Sequence, residues 1–172
     1  MRLLMSLFVV TGFATPAHAQ SSASGSLAIL AQLVCPLSVA VTHPLDFGRL
    51  LTSTAKTIAP SDASSGHLRL IGQGGSAVTV TLTMPSQLSP TGGGTNLPIT
   101  GWSYVVSNSA ALGGTPVSFN TGTSDPISLR FDTVAGSTNM YLGIGATITT
   151  SASSAAVAYT ATGQIIAAYT DL

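Results

Sequence analysis

Few side chains in this sequence are able to do chemistry. Histidine occurs at positions 18, 43 and 67, Cys35 is the only cysteine, and the acids are Asp46, Asp62, Asp125, Asp132 and Asp171. A metal centre usually needs three or four clustered ligands, and the chain has no His-x-His or Cys-x-x-Cys spacing. His43 precedes Pro44 in a turn signal, and His67 opens an alternating run, so both read as structural. Serine is abundant, but there is no Gly-x-Ser-x-Gly elbow and no base spaced to activate a nucleophile. Glycoside cleavage would need two paired carboxylates from five scattered aspartates. Asp125 and Asp132 could meet across a hairpin as part of a calcium site, yet neither lies in an EF-hand pattern and Asp125-Pro126 is a common turn opener. The glycine run 92–94 precedes no helix, so it is no phosphate cradle. These residues imply no catalytic site, no metal site and no cofactor: the chain reads as a non-enzyme.

Composition narrows the class further. Only 6% of the 172 residues are charged, against roughly 25% in an ordinary soluble domain. With one lysine and four arginines there is no basic stripe for phosphates, which excludes nucleic acid as a partner. Hydrophobic residues make up 45%, too many for a chain kept disordered by polarity. Serine and threonine number 23 each, Glu is absent, and Val, Ile and Thr are common, a balance that favours strands over helices.

The first 19 residues read as a cleaved signal peptide. Arg2 gives a short positive region, residues 3–13 an apolar stretch, and Ala17-His18-Ala19 small residues where a signal peptidase cuts. The apolar run is too short for a stable membrane span, which takes about 20 residues. Residues 20–26 are small and polar and read as a flexible leader. A lone Cys35 forbids an internal disulfide and reads as a small buried hydrophobe, and the remaining length suffices for a normal core without one.

Residues 27–172 read as one domain of about eight or nine short strands separated by Gly, Pro and Ser turns, an antiparallel β-sandwich. Residues 27–41 read as an apolar strand that is kinked or switches sheets at Pro36. Segments 66–71 and 77–84 flank the turn at 72–75; in the second, Val78, Val80 and Leu82 face one way and Thr79, Thr81 and Thr83 the other. Residues 89–95 read as a mobile loop. Further strands are expected at 102–106, 116–119, 127–131, 141–149 and 157–169, and the expected core includes Phe47, Val80, Leu82 and Ile148.

Four stretches, in order, give the chain a resemblance. They are Leu45-Asp46-Phe47-Gly48; residues 68–72 followed by 78–82 and Pro85; Tyr141-Leu142-Gly143-Ile144-Gly145 leading into 146–149; and the terminal run from Tyr159 to Tyr169. In these the chain resembles a secreted bacterial family, domain of unknown function 4402. The terminal motif departs from the family pattern, with Ala161 where a glycine is usual and Gly163 displaced by two, and the third motif carries one extra residue, which suggests a bulge. The resemblance implies an immunoglobulin-like, pilin-like sandwich related to fimbrial subunits and adhesins, without enzyme activity. It further implies a place in the periplasm, at the cell surface or in a fimbria, with copies of itself or other surface subunits, a periplasmic chaperone and an outer-membrane usher as partners.

The strand edges point the same way. Secreted β-proteins protect their edges with lysines or inward charges, and here residues 27–41 and 157–170 carry none. Leu27, Ile29, Ala31 and Leu33 share one strand face at the spacing of a donor segment, and the terminal strand at Ile165 and Tyr169 would wall the acceptor groove. The same N-terminal residues also read as an intrinsic first strand of their own sandwich. The alternative function is a monomeric secreted binding module, for example for glycans, using Trp102, Tyr104 and the glycine-rich loops; Trp102 also reads as a core residue. Exported protein is expected to begin at Gln20, and its intact mass tests this: retention of residues 1–19 would overturn the export reading.

Overall fold

Alternation in the sequence becomes alternation in burial. In a computed structural model of the chain, which describes residues 31, 33–120, 125–133 and 136–171, Val78, Val80 and Leu82 are at most 1% exposed, while the threonines between them stay half-buried on the opposite face. Among the described residues there are strands and no helix: β1 (Ser38–His43), β2 (Ala55–Ile58), β3 (Gly66–Gln73), β4 (Ala77–Thr83), β5 (Gln87–Pro90), β6 (Leu97–Ser107), β7 (Val117–Ser118), β8 (Asp125–Arg130), β9 (Ser137–Thr149), β10 (Tyr159–Thr160) and β11 (Gln164–Tyr169). Every pairing is antiparallel. The larger sheet runs β1-β3-β9-β6-β5-β10, with β2 also on β9 and β7 on β6; the smaller runs β11-β4-β8. From Leu33 onward the chain forms one compact unit.

Both sheets feed one core. Leu68 and Leu70 of β3 and Met140, Leu142, Ile144, Ala146 and Ile148 of β9 cluster with the apolar face of β4. All four expected core residues, Phe47, Val80, Leu82 and Ile148, are buried. Phe47 gets there through a tight turn: the Gly48 amide donates to Asp46 Oδ1 at 2.7 Å, and Gly48 takes a positive φ of 61°, a conformation glycine adopts without cost. Lys56, the only lysine, donates from Nζ to the Phe47 carbonyl at 2.6 Å, which ties the turn to β2.

Strand β9 organises the larger sheet. On one edge it pairs with β6; on the other, β2 covers residues 146–149 and β3 covers residues 137–144. Between those two strands, residues 59–65 leave the sheet and cross its outer face over Gly143 and Gly145. A Cβ at Gly143 would collide with the Pro60 carbonyl, and one at Gly145 with the Ile58 carbonyl. The alternation Leu142, Gly143, Ile144, Gly145 therefore puts branched side chains into the core and leaves bare backbone for the crossing segment.

Several sequence expectations change. Residues 27–41 do not form one strand: β1 begins only at Ser38, because the Cys35 amide donates to Gln73 Oε1, its carbonyl accepts from Tyr169 Oη, and Pro36 has no amide to give. The expected terminal strand 157–169 divides between the sheets, with β10 on β5 and β11 on β4; the crossing at 161–163 passes Met84, whose sulfur leaves no room for a Cβ at Gly163. Part of the expected loop 89–95 pairs in β5, and β2 was not anticipated. The chain therefore has more strands than the expected eight or nine. Asp125 opens β8 and Asp132 lies two residues beyond its last residue, so the two do not face one another across a hairpin. The signal peptide and leader lie outside the described residues. Gly145→Ala is expected to cost about 1–3 kcal/mol, the range for overpacking, in a denaturant titration. Gly92→Ala, where a Cβ meets nothing within 4 Å, is expected to stay within about 0.5 kcal/mol.

Candidate functional site

Two edge strands, β1 of the larger sheet and β11 of the smaller, both contribute residues to one opening. Among the described residues β1 pairs only with β3, and β11 only with β4. Neither strand carries Lys, Arg, Asp or Glu. Each unpaired edge presents a row of amide and carbonyl groups ready to bond another chain.

At one end the two strands are clasped together. Tyr169, on β11, accepts from the Gln73 amide at 2.6 Å and donates its hydroxyl proton to the Cys35 carbonyl at 3.0 Å. This joins the last residue of β3 and the approach to β1 to the smaller sheet. Gly72 makes room for the clasp, since a Cβ there would strike the Phe131 ring and Tyr169 Oη. At the other end, Val41 and His43 of β1 and Ile165 of β11 line a groove of about 1010 Å³. Its other lining residues include the core side chains Leu68, Met84, Ile99, Trp102 and Ile144. The rim carries exposed apolar residues: Val41 is 67% exposed, Leu51 77% and Val157 43%. Asp46 and Arg49 are the only lining residues with a full charge, and the Asp46 carboxylate already accepts from Gly48.

Of the residues singled out in the sequence, Leu27 and Ile29 lie outside the described residues. Ala31 and Leu33 are exposed and belong to no strand, with Leu33 98% exposed. Ile165 lines the groove. Tyr169 does not; its role is the clasp. Trp102 and Tyr104 do share a face, both packing on Phe119 with ring centroids 6.1 and 5.9 Å away. Trp102 is only 4% exposed, however, so the pair is no surface platform for sugars. A bulge between Thr100 and Ser103, with Gly101 at φ 59°, turns the indole inward, and its Nε1 is buried without a hydrogen-bond partner.

Sequence reasoning missed the contributions of Val41, Leu51 and Val157 to the rim and of Met84 to the lining. They come from segments that only the fold brings together. Across from the groove wall, His43 of β1 stands opposite His67 of β3. Among the described residues no three His, Cys, Asp or Glu side chains gather as a metal cluster, and no helix is long and apolar enough to cross a membrane. No protein-family model matches the chain, and no curated protein or solved structure matches it.

The groove is open and largely apolar, and the two edge strands that border it carry no charge. Tyr169→Phe is expected to cost about 1–3 kcal/mol in thermal or denaturant unfolding, because it strands the Gln73 amide and the Cys35 carbonyl. A cost near zero would show that the clasp does not hold the closed end.

Proposed function

We propose that the protein is a secreted, non-enzymatic structural or adhesive subunit of the bacterial surface. In this reading its two sheets form an immunoglobulin-like, pilin-like sandwich that β-strand addition completes. The observation that carries the reading is the groove flanked by the unpaired, uncharged edges of β1 and β11. The resemblance to the domain of unknown function 4402 family agrees with it. The occupant is the N-terminal segment of a neighbouring subunit, placing Leu27, Ile29, Ala31 and Leu33 into the groove. Leu33 is 98% exposed and belongs to no strand, which leaves its side chain available to such a neighbour. Until a neighbour arrives, a periplasmic chaperone would cover the groove and an outer-membrane usher would exchange it. The mature protein then resides in the periplasm, at the cell surface or in a fimbria.

The alternative, a monomeric glycan-binding module, loses its proposed platform with the burial of Trp102. Two substitutions separate the readings. Ile29→Asp places a carboxylate in an apolar slot at a cost of several kcal/mol and is expected to abolish SDS-resistant ladders. Val41→Lys, on an exposed edge position, is expected to block strand addition while leaving the monomer's thermal midpoint unchanged. Deleting residues 20–33 is expected to give a destabilised monomer that a synthetic peptide of the same residues restores. A deletion variant that folds unaided, together with a full-length protein monomeric at high concentration, would overturn the subunit reading. Failure to fold with or without the peptide would make residues 20–33 an integral strand.

A further inference from the structure

The geometry points to a binding site for a divalent transition-metal ion of the zinc type, formed by His43 and His67. His43 closes β1 and stands opposite His67 on β3, with ring centroids 5.7 Å apart and planes tilted by 50°. A carbonyl oxygen only accepts, so the hydrogen bonds fix where each ring carries its proton. His43 Nδ1 donates to the Ser65 carbonyl at 3.1 Å, and His67 Nε2 donates to the Asp62 carbonyl at 3.2 Å. The nitrogens left with a lone pair are His43 Nε2 and His67 Nδ1.

Metal-bound histidines are held in this way, with the second ring nitrogen donating to a carbonyl or carboxylate that fixes the tautomer. Two imidazoles on one zinc ion, with each nitrogen about 2.0–2.1 Å from the metal, have ring centres about 5–6 Å apart. The observed separation falls in that range. The supporting carbonyls are themselves anchored in a short turn. The Asp62 amide donates to the Ala59 carbonyl and the Ser65 amide to the Asp62 carbonyl, each at 3.0 Å. Asp62 Oδ2 accepts from the Ala59 amide at 2.8 Å. Ser65 is fully buried, with its hydroxyl on the Pro60 carbonyl at 2.8 Å.

Imidazole nitrogens suit zinc, copper and nickel rather than calcium or magnesium. No third His, Cys, Asp or Glu joins the pair among the described residues, so two water molecules complete a four-coordinate shell and both positions stay exchangeable. An ion held here would pin the end of β1 to β3 and stiffen one wall of the groove, whatever fills that groove. The site does not rest on the subunit reading.

The test is titration of the exported protein, purified without a polyhistidine tag, with zinc chloride, and with calcium chloride as the control. One saturable zinc site and a raised thermal midpoint are expected, with no response to calcium. His43→Asn and His67→Asn should each weaken zinc binding by about tenfold or more. Nitrogen-15 NMR of the wild-type protein provides a readout that needs no variant, since zinc should move the His43 Nε2 and His67 Nδ1 resonances selectively. Zinc affinity unchanged in the double variant, no saturable binding up to millimolar zinc, or resonance shifts confined to other residues would each overturn the proposal. A groove that fails to take a strand would leave all of these outcomes unaffected.

Discussion

Backbone packed directly on backbone over Gly143 and Gly145 is the contact on which the rest of the structure depends. Two carbonyls, of Ile58 and Pro60, occupy the space where side chains would otherwise project from β9. Only because they can lie so close do β2 and β3 follow one another along the same edge of β9, with residues 59–65 thrown across the outer face. That crossing segment then positions its surroundings. The Asp46 amide bonds to the Ser64 carbonyl at 3.0 Å, which docks the turn that drives Phe47 into the core. The same segment offers the Asp62 and Ser65 carbonyls to the two histidines. A pair of missing side chains thus sets one wall of the groove.

The groove results from how the two sheets are joined at one end and left apart at the other. Tyr169 spends its hydroxyl on main-chain groups from two separate segments, the Gln73 amide and the Cys35 carbonyl. A part-buried hydroxyl bonded to main chain on both sides is a specific lock, because its loss strands both partners. No comparable bridge between β1 and β11 is found at Val41 and Ile165 among the described residues, and core side chains there line the open volume. Trp102 belongs to that lining, and among the described residues its buried indole N–H has no hydrogen-bond partner.

The legible part of this fold was the part governed by local alternation. The period of two in residues 77–83 assigned the core face of β4 correctly, and the apolar run at 141–149 gave β9 its place in the core. Pairing between distant segments leaves no such signature. The terminal run 157–169 is uncharged and mostly apolar or small, so no charge or proline marks the change of sheet between β10 and β11; the close approach of Met84 to Gly163 does. Strand β2 was invisible because its four residues are too few to show a period and include the lysine. Ile165 was readable as a groove residue from its place in a charge-free terminal strand. Tyr169, two turns of the pleat further on, has the same parity, but its phenol reaches main chain instead. The opposition of His43 and His67 depends on a register that includes a bulge between Val41 and His43, and no local pattern announces it.

Under the proposed strand addition, the scarcity of charge would give the groove its selectivity. An extended segment entering it must give up backbone freedom at roughly 1–2 kcal/mol per residue. A fully buried aliphatic side chain returns about 1.5–3 kcal/mol, and only every second residue of a strand can supply one. Side chains alone therefore barely offset the ordering of the chain that carries them. The remainder must come from main-chain bonds, each worth about 0.5–1.5 kcal/mol net. Two unpaired edges, β1 on one side and β11 on the other, allow such bonds on both flanks of the segment. A slip of one residue would keep those bonds but turn the apolar row out of the groove, removing the side-chain contribution at every position together. With no charged residue on either edge to steer the approach, the register is selected by side-chain fit. A segment alternating as Leu27, Ile29, Ala31 and Leu33 do meets that requirement in one frame and fails it in the next.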